Sequence, residues 1–226
     1  MKLLSLIGGL LRRNGRGLRR VALPGACAAF GVLLTGCNLI PPPAPDPTRY
    51  YVLSGPAAGP AEAQPITGSL RVGLRAVELA PYLKKGVIVV RTGDNEVTYP
   101  NEARWGEPLE REVLNSLRNQ LLAAPTVGRV FTPPFPFDEP RDYDVSVRVT
   151  RCEGVRPAGG GAASVSFAAT LEITATGAAG AVVARKSFVA PSARWNGRDF
   201  GQLAAEISLA VGALGQAVVE ALPAKP

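Results

Sequence analysis

The chain has 226 residues, no histidine and a formal net charge of +7 at pH 7. This length accommodates a targeting segment and one domain of ordinary size, whereas two full domains would be tight. Residues 1–36 hold six of the 25 basic residues and no acidic residue, which leaves 19 basic against 18 acidic residues from position 37 onward. A near-neutral remainder has no basic stripe for nucleic-acid phosphates, so we expect no nucleic-acid partner. The lack of histidine also removes the commonest general base and metal ligand.

The number and positions of the cysteines limit the disulfide and metal sites that the chain can form. Cys27 lies in an apolar run that precedes Cys37, and Cys152 is the one cysteine that follows. A single remaining thiol cannot build a disulfide framework or a multi-cysteine zinc site. We therefore expect no metal and no cofactor.

The N-terminal segment has the layout of an export signal. Residues 12–20 are rich in arginine, and residues 21–34 are apolar and uncharged, which is typical of the n-region and h-region of a secretory signal. An apolar run of about 14 residues is too short to span a membrane comfortably. Leu34-Thr35-Gly36-Cys37 resembles the lipobox of bacterial lipoproteins. That resemblance implies cleavage before Cys37 and diacylation of its sulfur, so residues 1–36 are predicted to be a lipoprotein signal peptide.

Residues 37–48 are predicted to be a lipidated, proline-rich tether. The run PPPAPDP favours an extended polyproline conformation, and residues 38–47 at about 3.1 Å each would hold a folded domain up to roughly 30 Å from the bilayer. In proteobacterial lipoproteins, Asn38 directly after the acylated cysteine implies transfer to the outer membrane. The folded domain is predicted to span residues 49–222.

The first part of this domain is predicted to contain strands followed by a helix. Residues 49–53 and 70–77 favour strands, and residues 87–91 and 96–99 favour a hairpin. The period then changes, because apolar residues recur every four positions: Trp105, Leu109, Val113, Leu117 and Leu121. This spacing predicts an amphipathic helix with Pro108 in its first turn.

The second part is predicted to contain more strands and a final helix. Residues 126–132, 143–149, 164–176 and 182–189 favour strands. Asp199 and Gln202 are spaced like a capping box, and these apolar residues then follow at helical spacing: Phe200, Leu203, Ile207, Val211, Leu214, Val218 and Leu222. The domain is therefore predicted to be α+β, with a sheet of six to seven short, mostly antiparallel strands and two long helices packed on one face.

The other face of the final helix carries small residues. These are Gly201, Ala204, Ala205, Ser208, Gly212 and Ala213. One interpretation is close packing against a second helix or against another protomer, which leaves homo-oligomerisation open. An alanine-rich composition without further meaning explains the pattern equally well. Glu206 and Glu220 argue against a membrane span.

Several short motifs occur in the order found in a known family. In chain order they are Tyr50-Tyr51-Val52-Leu53, Val72 to Val77 leading into Leu79-Ala80-Pro81-Tyr82-Leu83, Val87 to Arg91, Asn95-Glu96, and Arg104-Trp105-Gly106-Glu107-Pro108-Leu109. Across roughly residues 45–222 the chain resembles the ABC-type transport auxiliary lipoproteins, which include PqiC-like components of membrane-integrity lipid transport systems. Two departures are Lys84-Lys85, where an acidic-basic pair is expected, and Gly106, where alanine is commoner.

The resemblance implies a non-enzymatic accessory protein on the periplasmic face of the outer membrane. Its implied partners are an inner-membrane ATPase and permease, and MCE-domain proteins that carry lipid across the periplasm. The chain has no Gly-x-x-x-x-Gly-Lys-Ser/Thr phosphate loop, so we do not expect it to hydrolyse ATP itself.

Two places are candidate partner contacts. Pro81-Tyr82-Leu83, followed by Lys84-Lys85, is one. Trp195 is the other, because a partly exposed tryptophan between two arginines is a typical interface anchor, although a cap on the sheet edge is an alternative role. We expect Trp105 to serve in packing.

Two other functions compete with a transport accessory. An α+β lipoprotein also suits a chaperone or plug for an outer-membrane β-barrel. A carboxylate-based hydrolase would need an acidic pair such as Asp142 with Asp144 or Asp138 with Glu139, which we interpret as loop and strand-face charges. Cys152 is expected to be a buried, unreactive thiol.

Overall fold

A computed structural model describes residues 44–55, 67–177 and 180–225. The predicted signal peptide, Cys37 and most of the tether lie outside the described residues. The chain divides into the units Met1–Asp46 and Pro47–Pro226, and the fold below is that of the second unit.

The described part of this unit contains ten strands, a short 3₁₀-helix (Pro81–Leu83) and two long α-helices. The strands are β1 (Arg49–Tyr51), β2 (Leu70–Leu74), β3 (Glu78–Leu79), β4 (Val89–Gly93), β5 (Glu96–Thr98), β6 (Ala103–Trp105), β7 (Val127–Phe131), β8 (Tyr143–Val155), β9 (Ser164–Ala175) and β10 (Val182–Val189). The helices are α1 (Leu109–Ala123) and α2 (Phe200–Ala221).

Strand β8 is the centre of an eight-stranded mixed sheet. One edge pairs antiparallel with β9 along the whole strand, and the other edge pairs in parallel with β2, β3 and β4 in turn. Strand β9 also pairs antiparallel with β10, and β2 pairs in parallel with β7. Strand β5 pairs antiparallel with β4, so both long ladders are antiparallel and the parallel ladders are all short. Strands β1 and β6 form a separate parallel pair.

A bulge between Val149 and Arg151 changes which face the residues of β8 occupy. Before it, alternate residues such as Val145 and Val149 are buried under the helices. After it, Cys152 takes the helix-facing position, and Glu153 moves to the opposite face. The alternating pattern in the sequence extends to Val149 and does not reveal this shift.

Both helices pack on one face of the sheet, as predicted. In α1, the residues at four-residue spacing, Leu109, Val113, Leu117 and Leu121, are all buried. The predicted apolar stripe of this helix includes Trp105, but Trp105 is buried in β6, and α1 begins after Pro108. The residue before a proline is disfavoured in the helical region, so the helix cannot extend back through Pro108.

The start of α2 is capped by two side chains. Asp199 Oδ1 accepts hydrogen bonds from the backbone N–H groups of Gly201 and Gln202, at 2.9 and 3.2 Å. The reciprocal half of the predicted capping box goes elsewhere, because Gln202 Oε1 accepts from the backbone N–H of Asn196. Asn196 Oδ1 in turn accepts from the backbone N–H of Asp199.

The small residues of α2 allow close contact with α1. A Cβ added at Gly215 would lie 2.7 Å from Cγ of Gln120 on α1, and Ala204 and Ser208 are buried on the same side of α2. Of the two interpretations of this face, the structure favours packing against a second helix. By length and composition, α2 is also the one described helix able to cross a membrane, yet its apolar stripe is buried in the core.

Candidate functional site

The Pro81–Leu83 turn directs one side chain into the core and leaves the other two accessible to solvent. Pro81 occupies the first position of a 3₁₀-helix, and the backbone N–H of Leu83 donates to the Ala80 carbonyl at 2.9 Å. Leu83 is 1% exposed and belongs to the core. Pro81 is exposed, and Tyr82 is half-buried. Of the three predicted contact residues in this turn, two are therefore accessible to a partner.

Tyr82 is held by a buried ion pair beneath it. Its hydroxyl donates to Glu153 Oε2 at 2.8 Å, and Arg91 Nε donates to Glu153 Oε1 at 2.5 Å. Glu153 is fully buried, and the Arg91 side chain is 19% exposed. Burial, followed by the bond to Glu153, raises the pKa of the Tyr82 phenol. The same carboxylate, chiefly by its hydrogen bond, raises the pKa of Arg91. Tyr82 and Arg91 are therefore fixed in one arrangement.

A basic rim lies next to this turn. Lys84 and Lys85 are exposed, and the Lys85 ammonium lies 4.0 Å from the centre of the Tyr99 ring, a cation–π contact. The Tyr99 hydroxyl donates to the Tyr82 carbonyl at 3.4 Å. A cleft of about 390 Å³ is lined by residues 83–86 and 105–110. Two of the motifs that carry the family resemblance, residues 79–83 and 104–109, thus meet at one surface.

Trp195 lies inside the domain, so the expectation that it is partly exposed is wrong. It is 3% exposed, its indole N–H donates to the Val155 carbonyl at 3.4 Å, and its ring lies 5.8 Å from that of Phe200. A Cβ at Gly154 would lie 2.8 Å from the Trp195 ring. The alternative role, a cap over the end of the sheet, matches this position. Trp195 can therefore affect a partner only by positioning the exposed residues around it.

The segment that follows the tether is tied to both helices, which the sequence did not suggest. The Leu53 backbone N–H donates to Glu112 Oε2 of α1 at 2.9 Å. The Ser54 backbone N–H donates to Ser208 Oγ of α2 at 3.0 Å. Both acceptors are 8% exposed. The acceptors Glu112 and Ser208 lie on helices that the sequence predicts, but their role in holding this segment was not predicted.

Strand β1 fixes the start of the same segment. It pairs with β6, and the Gly106 backbone N–H donates to the Tyr51 carbonyl at 2.7 Å. A Cβ at Gly106 would lie 3.0 Å from Val52 Cγ1, so the departure from the commoner alanine leaves room for Val52. The Tyr51 ring lies 6.4 Å from Phe200. The tether thus joins the domain through ordered backbone.

The acidic pair Asp142 and Asp144 is engaged in structural contacts. Asp144 forms ion pairs with Arg75 at 2.9 Å and with Arg141 at 2.8 Å. Asp142 Oδ2 accepts from the Arg71 backbone N–H at 2.7 Å. These carboxylates hold the loop before β8 against the sheet.

In the second acidic pair, only Glu139 is shown in ion pairs of this kind. Glu139 forms ion pairs with Arg71 and Arg129, whereas Asp138 is exposed. Cys152 is buried, and burial raises the pKa of its thiol, as expected for an unreactive cysteine. Within the described ranges, no group of three or more acidic or cysteine side chains is arranged to hold a metal ion.

Comparison with known proteins identifies the family. The model of the ABC-type transport auxiliary lipoprotein component matches residues 51–219. The chain therefore belongs to the family of ABC-type transport auxiliary lipoproteins, and the predicted resemblance is confirmed. No curated protein matches the chain.

Solved structures share the fold. A Xanthomonas campestris protein of the DUF330 family superposes with a TM-score of 0.63 at 17% identity, covering 76% of this chain and 93% of that one. An uncharacterized protein superposes with a TM-score of 0.59 at 16% identity, with 76% and 97% coverage. These identities establish a common fold and no more.

Proposed function

We propose that this protein is an accessory lipoprotein of an ABC/MCE-type lipid transport system, anchored on the periplasmic face of the outer membrane. Membership of the ABC-type transport auxiliary lipoprotein family is the observation that carries the proposal. The lipobox at residues 34–37 and Asn38 after it support the anchor and its membrane. The protein acts through contacts with the MCE-domain protein and the transporter subunits.

The tether junction suits a protein that holds partners at a distance from a membrane. A lipid on Cys37 with two or more acyl chains gives stable anchoring. The backbone that follows the tether is bonded to both α1 and α2 through Glu112 and Ser208. The first residues of the domain are therefore held to both long helices rather than to a single loop.

The accessible part of the Pro81–Leu83 turn, together with Lys84 and Lys85, is the proposed contact surface. Pro81 and the two lysines are exposed, and the turn is rigid because Tyr82 is bonded to Glu153. Leu83 supports the surface from inside the domain, whereas Trp195 is buried beside Phe200. Two adjacent ammonium groups favour an acidic patch on the partner.

The proposal is tested by purifying the full-length, acylated protein from bacterial membranes in mild detergent. We expect an MCE-domain protein and the ABC transporter subunits to co-purify, and the protein to fractionate with the outer membrane. If an outer-membrane β-barrel co-purifies without an MCE-domain protein, the chaperone or plug function is favoured and the transport function is rejected.

The anchor is tested with two cysteine variants. Cys37→Ala should leave the outer-membrane fraction, since the acceptor of the lipid is lost. Cys152→Ala is the matched control, because it removes a cysteine and should keep the membrane association. Continued outer-membrane fractionation of Cys37→Ala would contradict the anchor.

The contact surface is tested by reversing its charge. The double variant Lys84→Glu/Lys85→Glu should reduce recovery of the partner at unchanged thermal stability, because both side chains are exposed. Arg118→Glu, an exposed position on α1, is the control and should retain the partner. If wild type, the double variant and Arg118→Glu recover the partner equally, the contact surface lies elsewhere.

A further inference from the structure

Strand β10 ends one side of the large sheet. In the order β10-β9-β8-β2-β7 it pairs with β9 and, within the described residues, with no strand on its other side. It has eight residues, about 26 Å at 3.3 Å per residue. The opposite terminal strand, β7, has five residues. A long unpaired edge is a template for pairing with another extended chain.

The backbone of β10 presents hydrogen-bonding groups to this free edge. The Ala190 backbone N–H donates to the Phe167 carbonyl of β9 at 3.0 Å. Because bonding direction alternates along an antiparallel strand, the N–H and C=O groups of Val189, Ser187 and Arg185 point away from β9. These positions are exposed, so a further strand can reach their backbone.

Most side chains of β10 are exposed, whereas Ala184 and Phe188 are partly buried against the core. Val189 is 74% exposed and Val182 is 48% exposed. Lys186 lies beside Leu171 in register, on the face that packs under the helices, and is nevertheless exposed. The helices therefore cover β10 only in part. Apolar residues near both ends and two cations in the middle define the pattern of this edge.

The charges decide against a second copy as the occupant. In an antiparallel pair of two β10 strands, residues that bond outward lie opposite one another, so the registers about the centre of the strand place Arg185 opposite Arg185 or Lys186 opposite Lys186. Like charges directly opposite one another destabilise a strand pair. An acidic strand in the same place would instead form opposite-charge pairs.

We propose that β10 is a docking edge that accepts an extended, acidic segment of another protein as an additional strand. Main-chain hydrogen bonds to residues 185–189 supply affinity, and carboxylates of the incoming segment pair with Arg185 and Lys186. Arg185 already contacts Glu172 at 2.7 Å with its side chain 72% exposed, so it can turn toward a second carboxylate. Apolar side chains of the segment cover Val182 and Val189.

The test uses the full-length lipoprotein in its native membrane, with a photo-crosslinking amino acid at Val189. The crosslinked peptide is located by mass spectrometry. We expect an acidic segment of another protein, and no such product from the same amino acid at Gln216, an exposed position on α2. A crosslink to a second copy, a segment without acidic residues, or the absence of a crosslink would overturn the proposal.

Two backbone variants connect the crosslink to strand pairing. Ser187→Pro removes an outward N–H while keeping the bonds to β9, and proline is tolerated on an edge strand. We expect the crosslink yield to fall about tenfold, as for a loss of about 1.4 kcal/mol. Ser187→Ala should leave the yield unchanged. An unchanged yield with Ser187→Pro would refute strand addition.

Charge reversal provides a test that does not depend on tolerance of proline. Lys186→Glu keeps the backbone and should lower the crosslink yield, because it opposes an acidic segment. A rise in yield would contradict the proposed charge of the occupant. The segment is recognised by its own sequence, whichever protein carries it. The result therefore stands or fails independently of co-purification with an MCE-domain protein.

Discussion

Glu112 of α1 accepts a hydrogen bond from the backbone N–H of Leu53, 2.9 Å away and 59 positions earlier in the chain. Burial of the carboxyl group raises its pKa above the ordinary value of 4.5, the bond from Leu53 lowers it, and Glu107 adds to the rise. A carboxyl group with a raised pKa thus holds the segment that follows the tether.

Glu112→Gln should change how stability depends on pH. Because the folded-state pKa is raised, this group stabilises the fold fully below its unfolded pKa and loses that contribution as pH rises through the folded pKa. Glutamine keeps an acceptor for Leu53 and has no charge. The free energy of unfolding of the variant relative to wild type should therefore increase as the pH rises from below the ordinary carboxyl pKa to above the raised one, as measured by urea denaturation. Glu110→Gln is the control, and an equal difference at every pH would contradict the assignment.

Loss of the buried carboxylate under Tyr82 should be costly. In Glu153→Gln, Arg91 loses its ion pair, and breaking a buried pair costs about 3 kcal/mol. Tyr82→Phe removes the hydroxyl that bonds to Glu153 and to the Thr150 carbonyl and should cost about 1 kcal/mol. Urea denaturation of both variants and of the double variant measures the coupling. Strict additivity of the two losses would mean that Tyr82 and Glu153 act separately.

Truncation of Trp195 should damage the fold rather than a binding surface. The side chain is 3% exposed, and Trp→Ala in a core costs about 3–5 kcal/mol, which lowers Tm by roughly 10 °C in a domain of this size. Trp195→Phe should retain most of the stability. Differential scanning calorimetry provides the values. A loss of partner binding by Trp195→Ala at unchanged Tm would instead indicate direct contact.

Substitution of Gly154 by alanine should lower the stability of the fold. Its Cβ would lie 2.8 Å from the Trp195 ring and 2.9 Å from Leu203 Cδ2, and overpacking of this kind costs about 1–3 kcal/mol. The expected result is a lower urea midpoint for Gly154→Ala. Gly159→Ala is a matched control, since no atom lies within 4 Å of a Cβ there. Equal midpoints for the two variants would show that the Trp195 site can relax.

Cys152 should react with thiol reagents only after unfolding. Burial raises the pKa of the thiol, with a further contribution from Glu153, so the reactive thiolate is suppressed and inaccessible. The mature protein is expected to show negligible labelling in native buffer and complete labelling of Cys152 in concentrated guanidinium, as measured by mass spectrometry. Rapid labelling of the folded protein would contradict this burial.

The periodicity of apolar residues predicts the long helices and strands, and it cannot reveal very short strands. The spacing from Leu109 to Leu121 predicted α1, and residues 182–189 predicted β10 with its observed bounds. Strands β3 and β6 have two and three residues, too few to show a period. Their positions follow from pairing with β8 and β1, which are distant in sequence.

The sequence by itself determined the family, the α+β class, the long helices and strands, and the predicted lipidation site at Cys37, because these depend on local patterns and short motifs. Only the tertiary structure decided that Trp195 is buried, that Tyr82 rests on Glu153, and that β10 is an open edge. Burial and pairing are set by residues far apart in the chain. A bulge of one residue in β8 was enough to place Glu153 beneath Tyr82, and no local pattern records it.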